Sequence, residues 1–183
     1  MDTVCGQRWI GHERAGGVTM FRRNGRQCVA TFAVDEVRVL RKVANEVVDL
    51  LTDGFDHHDP VVARLFPDIY PDRPEDSAEF RLYSEGELKT GKIDQAGAIL
   101  AALPDDGPSE VRLDFEAAEA WLRAINDVRL AMGTRLDISG DTDLGDELDD
   151  AVLHDPASSR VFQLSVYAYL TYLQESLVGA LSA

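Results

Sequence analysis

The sequence predicts a mainly α-helical α+β domain, a helical bundle with a small β-hairpin at its N-terminal end. Long segments repeat apolar residues at three- and four-residue spacing, as amphipathic helices do. One short segment, "VTMFRRNGRQCVATF", alternates apolar and polar residues around an Asn-Gly dipeptide. The 183 residues, 45% of them hydrophobic, suffice for one core without disulfides or metals. We expect a flexible segment over residues 1–17 and a single domain over residues 18–183.

Residues 18–32 are predicted to form the hairpin. Asn24 and Gly25 suit the two central positions of a type I′ turn, because both positions need a positive φ. This register places Phe21 opposite Cys28. The side chain of Cys28 then lies on the face of the hairpin that the helices cover.

Helical patterns occupy most of the remaining chain. The segment "EVRL", residues 110–113, is either a short strand or the approach to the next helix. The final helix is apolar on almost every side, which places it in the middle of a bundle or in a homodimer interface. The predicted helices cover about residues 34–52, 60–66, 77–84, 88–103, 115–136 and 158–181.

Charge is distributed unevenly along the chain. The formal net charge is −15, yet residues 1–42 hold eight Lys/Arg and four Asp/Glu, so the acidic excess lies in the rest. A strongly acidic body repels nucleic-acid phosphates, and we expect no strong nucleic-acid binding by the protein alone. Arg22, Arg23 and Arg26 surround the hairpin turn. They form the basic surface that we predict to bind an acidic protein partner.

The sequence also carries information on location. No apolar run approaches the roughly 20 residues that span a bilayer. The first 17 residues lack the apolar core of a signal peptide. We therefore expect a cytoplasmic protein that does not enter the membrane.

Two segments invite a metal-site interpretation, and both are explained without one. The segment "SGDTDLGDELDD", residues 139–150, is predicted to be an acidic loop. An EF-hand loop starting at Asp141 would place Gly145 at a ligand position and Asp146 where the turn requires glycine. The segment "DHHD", residues 56–59, offers two imidazoles, but the sequence indicates no further ligands around one point. We expect no metal and no other cofactor.

The sequence contains no G-x-S-x-G, no glycine-rich phosphate loop and no H-E-x-x-H, so it does not predict an enzyme. Arg129 nevertheless falls in the apolar stripe of its helix, where an unpaired charge costs several kcal/mol. Glu175, an acid in the middle of the final helix, is the predicted partner, and Asn126 completes the hydrogen bonds. We favour this structural ion pair over an anion-binding or catalytic arginine.

Cys5 and Cys28 are the only cysteines of the chain. Cys28 is either a small hydrophobic residue that fills the core or one half of an oxidisable pair. The nearby arginines favour a thiolate, and glycines between positions 6 and 17 let the N-terminal segment bring Cys5 to the hairpin. Closing that loop stabilises an oxidised form by about 3 kcal/mol in the chain-entropy picture. On the residues alone, both interpretations stay open.

Several segments resemble one actinobacterial family. The stretches "AEAWLRAINDVRLAMGTRLDI", "VYAYLTYLQESLVGAL" and "DPVVARLFPDIYPD" are similar to the AosR-like oxidative-stress regulators, a family encoded near the ClpS protease adaptor. The hairpin that runs into the first helix resembles the same family. The resemblance covers most of the chain beyond about residue 18.

The resemblance implies a non-enzymatic transcriptional regulator. Such regulators sense oxidants through an intramolecular disulfide, and they act with an alternative sigma factor or RNA polymerase on cysteine-biosynthesis genes. In this chain the resemblance assigns the disulfide to Cys5 and Cys28. One alternative from another class is a proteostasis partner of the ClpS/Clp protease system with no redox role. Another is an enzyme that uses Arg129.

Overall fold

The computed structural model describes residues 19–70 and 72–183. Helices dominate this part of the chain, and its strands form one small antiparallel sheet, which confirms the predicted fold class. In chain order the elements are β1 (Arg22–Asn24), β2 (Gln27–Phe32), α1 (Val34–Thr52), α2 (Pro60–Leu65), α3 (Pro74–Ala102), β3 (Ser109–Leu113), α4 (Phe115–Leu136), α5 (Leu144–His154) and α6 (Ser159–Ser182).

The sheet has the strand order β1-β2-β3, so β2 is its central strand. The segment 110–113, left open between strand and helix approach, is part of β3 and pairs with β2. Cys28, Ala30 and Phe32 of β2 are buried, as the alternation predicted. The third strand gives this face of the hairpin the support that two strands lack on their own.

The predicted register of the hairpin is wrong by two residues. Cys28 pairs with Arg23, not with Phe21, and Asn24 pairs with Gln27. Gly25 takes a φ of +61°, whereas Asn24 stays in the strand, as in a type II′ turn with glycine first. Because side chains alternate with a period of two, a shift of two residues leaves every side chain on its predicted face.

Capping side chains fix where the helices begin. Asp59 accepts a hydrogen bond from the backbone N–H of Val61 at the start of α2. Asp114 accepts one from Ala117 at the start of α4, and Ser158 caps α6 in the same way. Each satisfies a backbone donor that the first helical turn leaves unpaired.

Two segments of the chain are more helical than predicted. The separate helices expected over 77–84 and 88–103 are one continuous helix, α3, of 29 residues. The acidic loop expected over 139–150 holds most of α5. Asp143 starts that helix by accepting hydrogen bonds from the N–H groups of Gly145 and Asp146.

The core lies between the sheet and helices α1, α4 and α6. Phe21, Phe32 and Trp121 form an aromatic cluster at its centre, with ring centroids 5.7 to 6.0 Å apart. Helix α6 packs against α4, α5 and the hairpin. Its position in the middle of the bundle accounts for its apolar sequence.

Candidate functional site

The thiol of Cys28 is fully buried in the central strand of the sheet. Arg23 lies beside it on β1 and Leu113 lies beside it on β3. Burial raises the pKa of the Cys28 thiol above its ordinary value of 9.0, and the positive charge of Arg23 opposes this more weakly. A buried, protonated thiol is a poor nucleophile, because the thiolate is the reactive form. Cys28 is therefore protected in the folded protein as it stands.

The three hairpin arginines have different surroundings. Arg22, Arg23 and Arg26 are all exposed. The guanidinium of Arg23 lies 4.7 Å from the ring centroid of Phe115 and donates a 3.5 Å hydrogen bond to the carbonyl of Leu181. Arg23 is thus tied to the ends of α4 and α6, whereas Arg22 and Arg26 project from the hairpin without such ties among the described residues.

Cys5 lies outside the described residues, so the predicted Cys5–Cys28 pair stays a prediction. The first described residue is well anchored, however. The hydroxyl of Thr19 lies 2.8 Å from a carboxylate oxygen of Glu36 and 3.1 Å from the carbonyl of Thr31. The chain therefore enters the fold beside the far end of β2, away from the hairpin turn.

A buried polar cluster holds this entry point. Glu36 also accepts a 2.7 Å hydrogen bond from the N–H of Ala33, which closes the first turn of α1. Burial raises the pKa of Tyr169 well above its ordinary value. The Glu36 carboxylate raises it further through its negative charge and by accepting a hydrogen bond from the Tyr169 hydroxyl. Two residues after Thr19, the N–H of Phe21 donates a 3.0 Å hydrogen bond to the buried hydroxyl of Ser176. Residues 19–21, which precede β1, are thereby fastened to α1 and α6.

Arg129 and Glu175 do not form the predicted ion pair. Arg129 donates to the side chains of Thr171 and Gln174, and its guanidinium lies 5.3 Å from the ring centroid of Tyr167. Glu175 is exposed, because it lies one residue further around α6. Asn126 is exposed as well and does not complete the hydrogen bonds of Arg129. Arg129 is only half-buried, so neutral acceptors and a ring face satisfy it.

On the same helix as Arg129, Asp127 is a buried acid. Its side chain is 6% exposed, and a carboxylate oxygen lies 2.8 Å from the Nζ of Lys92 on α3. Burial raises the pKa of Asp127 although Lys92 opposes the shift. The sequence does carry a signal for this residue. Asp127 stands between Ala124 and Ala131 in the buried stripe of α4, where an acid needs a partner.

The Lys92–Asp127 pair lies at an open groove between α3 and α4. We call it the α3–α4 groove; its volume is about 740 Å³. Apolar atoms contribute most of its surface. Its walls include Phe80, Glu87, Leu88 and Lys92 of α3 and Leu122 and Asp127 of α4.

Within residues 19–70 and 72–183, no group of three or more His, Cys, Asp or Glu side chains is placed to hold a metal ion. In the "DHHD" segment, His58 contacts Asp56 of its own turn, whereas His57 lies 3.4 Å from Glu85 of α3. The two imidazoles therefore serve different neighbours. Within the same residues, every helix is too short or too polar to cross a bilayer.

Fold and site together define a small helical domain that carries a protected thiol and an open groove. The chain belongs to the family described as "Domain of unknown function (DUF2017)", which it matches over residues 18–181. No solved structure matches the chain at a significant level.

Mycobacterial proteins named as oxidative stress regulators are similar to the chain. It is 28% identical to the "Oxidative stress regulator AosR" of Mycobacterium tuberculosis (strain ATCC 25618 / H37Rv) and of Mycobacterium bovis, over 97% of both chains in each case. It is 34% identical over 146 residues to the "Putative oxidative stress regulator AosR" of Mycobacterium leprae, and this match covers 68% of the chain. The match spans 59% of the length of the Mycobacterium leprae protein.

Proposed function

We propose that this protein is a non-enzymatic regulator of the response to oxidative stress, acting in the cytoplasm. The observation that carries the proposal is the end-to-end similarity to proteins named for that role, over 97% of both chains. The net charge of −15 adds a constraint, since it opposes direct binding to DNA. The regulator therefore reaches promoters through a protein partner, an alternative sigma factor or RNA polymerase.

We propose a disulfide between Cys5 and Cys28 as the switch. One thiolate attacks hydrogen peroxide and breaks its O–O bond, so that one oxygen forms the sulfenic acid and the other, with a proton, leaves as water. The second thiolate then displaces a second water to form the S–S bond. Both electrons that the peroxide accepts come from the two thiols. Reduction by a cellular dithiol restores both cysteines.

The chain is long enough for this pairing. Cys5 precedes the anchored Thr19 by 14 residues, which span up to about 46 Å when extended. Thr19 is hydrogen bonded to the carbonyl of Thr31. Thr31 lies three residues from Cys28 along the strand, a distance of about 10 Å. Distance along the chain therefore does not limit the reaction.

Access to the sulfur of Cys28 does limit disulfide formation. Cys28 is covered, and a disulfide requires the two Cα atoms to come within about 7 Å. Beside the strand of Cys28 lies β1, a three-residue edge strand with exposed side chains. We infer that oxidation follows a local opening of β1, which exposes the sulfur and moves Arg22 and Arg26. Opening of short edge elements needs far less free energy than global unfolding.

A peptide map of peroxide-treated, alkylated protein tests the switch. We expect a peptide pair joined through Cys5 and Cys28 that disappears on reduction, and that either serine substitution abolishes. A promoter-binding assay completes the test. We expect promoter selectivity only when a sigma factor or polymerase is present, in an oxidant-dependent manner. Two alkylated thiols after peroxide, or links only between chains, would contradict the switch.

The burial of Cys28 favours one competing function, a proteostasis partner of the ClpS/Clp system in which Cys28 only fills the core. Absence of the disulfide from the peptide map, together with binding to a Clp component that peroxide does not change, would favour the proteostasis function. A homodimer through α6 also stays a prediction. Tyr172 and Val178 are the large hydrophobic residues that α6 leaves exposed for such contacts.

A further inference from the structure

Helix α3 fully buries no residue along its middle. None of residues 78–95 is buried, although the same helix buries Ala96 and Ile99 near its C-terminal end. Phe80 and Leu88 are 40% and 51% exposed, and both line the α3–α4 groove. Large apolar side chains exposed together on a helix wall are typical of an interaction site.

The groove has the dimensions of a helix-binding site. Its wall on α3 runs from Phe80 to Gln95, which corresponds to about 22 Å along the helix axis, or four turns. Gly91 lies in the middle of this wall, and a Cβ added there would meet no atom within 4 Å. The missing side chain leaves room in the groove for a side chain of a partner.

The charges at the groove indicate the chemistry of that partner. Lys92 is paired with Asp127, and Arg123 is paired with Glu119 at 2.9 Å. Glu87 lines the groove and forms no ion pair within the described residues. The cations are thus neutralised, whereas an acidic group remains on a strongly acidic protein. A cationic ligand is favoured by this arrangement.

We propose that the α3–α4 groove is the docking site for a cationic amphipathic helix of a partner protein. Leucine-like side chains of that helix lie between Phe80, Leu88 and Leu122, and a flanking Lys or Arg pairs with Glu87. This helix-in-groove mode uses apolar anchors at three- and four-residue spacing. The proposal rests on the proposed function in taking the partner to be a protein, and it places the contact away from the hairpin arginines.

A matched pair of glycine substitutions tests the proposal. Gly91→Leu places a side chain in the groove, whereas Gly86→Leu places the same side chain on another face of α3, where it also meets no atom within 4 Å. Both changes replace glycine in a helix by a better helix former, so both variants keep the fold. Circular dichroism and the thermal midpoint check this.

The probe is a synthetic 18-residue peptide with leucines on one face and lysines on its flanks, measured by calorimetry on reduced protein at 150 mM salt. We expect Gly91→Leu and Leu88→Gln each to weaken binding by about tenfold or more, and Glu87→Gln to weaken it less. We expect Gly86→Leu and Leu82→Gln, both outside the groove, to bind as the unmodified protein does. A shuffled peptide of equal composition should bind at least tenfold more weakly, because it lacks the apolar face.

Three results of the peptide assay overturn the docking site: no binding of the peptide, equal binding of the shuffled peptide, or equal losses in the groove variants and in their controls. None of them involves the cysteines, so the disulfide switch is judged separately by its peptide map. Conversely, loss of the disulfide leaves the peptide assay unchanged. Promoter activity that needs the sigma factor but persists in Gly91→Leu would also reject the groove, while the proposed function stands.

Discussion

Helices α3 and α6 are the two longest of the described chain, and they serve opposite purposes. Helix α6 buries nine of its 24 residues in the bundle, whereas α3 buries three of its 29 residues. Helix α3 carries nine charged residues and α6 carries two, and the apolar side chains of the two helices are also arranged differently. In α6 those side chains are covered by α4, α5 and the hairpin, but in α3 they line a groove. The comparison teaches that helix length alone does not show which helix forms the core.

The largest expected difference between the two helices concerns leucine truncation. Leu170 of α6 is fully buried, and we expect Leu170→Ala to lower the free energy of unfolding by about 2–5 kcal/mol. Leu88 of α3 is half exposed, and we expect Leu88→Ala to change the free energy of unfolding by less than about 0.5 kcal/mol. Urea unfolding of the two variants measures both values. Similar losses would mean that α3 belongs to the core.

The second prediction concerns the buried pair that joins α3 to α4. Removal of Asp127 leaves the Lys92 ammonium without its partner at a site that is 20% exposed. We expect Asp127→Ala to destabilise the fold by about 2 kcal/mol, less than for a completely buried pair because Lys92 reaches solvent. Glu119→Ala breaks the exposed pair with Arg123 and serves as the control, with an expected loss below about 0.5 kcal/mol. Equal losses of stability in the two variants would mean that the burial of Asp127 does not make its pair with Lys92 more important than the exposed pair.

The raised pKa of Asp127 predicts a pH dependence with a defined sign. Above the folded-state pKa the carboxylate is charged in both states, and its burial costs stability in full. Below the ordinary value of 3.8 it is neutral in both states, and that cost is absent. Relative to Asp127→Asn, the unmodified protein should therefore gain stability as the pH falls from neutral through this window. Urea titrations at several pH values measure the difference, and a flat or opposite trend would contradict the shift.

The smallest expected effect concerns Arg129 and its contact with α6. A double-mutant cycle between Arg129→Met and Gln174→Leu should give a coupling of about 0.5–1 kcal/mol, because the two side chains are hydrogen bonded. The cycle with Glu175→Leu should give no coupling beyond about 0.3 kcal/mol. A larger coupling to Glu175 would restore the ion pair predicted from the sequence.

The helices of the core were the most predictable part of the molecule. Helix α1 matches its predicted bounds, and α4 and α6 match theirs within one or two residues, because strong apolar periodicity coincides with capping side chains. Helix α3 was divided in the prediction, since its glycines each cost about 1 kcal/mol in a helix. Sequence reasoning has no measure of the packing at both ends that keeps this helix continuous.

The acidic segment and the sites show a different limit. Helix α5 forms because Asp143 caps it, Asp146 and Glu147 suit the positive end of the helix dipole, and Glu147 pairs with Arg160 of α6. The last contact depends on the tertiary fold. The same holds for Arg129, whose acceptor is Gln174 because of how α4 lies on α6. Residue types near a site are visible in the sequence, but the orientation of two helices is not.

The aromatic cluster under the sheet gives the protein an internal spectroscopic reporter. The chain has two tryptophans, Trp9 and Trp121, so Trp9→Phe leaves one emitter. Trp121 is completely covered, and its indole nitrogen has no hydrogen-bond partner within the described residues. Its fluorescence should therefore be that of a dry, apolar site. Because Phe21, the residue just before β1, lies 5.7 Å from the indole ring, any lifting of that strand admits water and shifts the emission to longer wavelength. Stopped-flow mixing with peroxide would then time the motion of the hairpin in the protein itself.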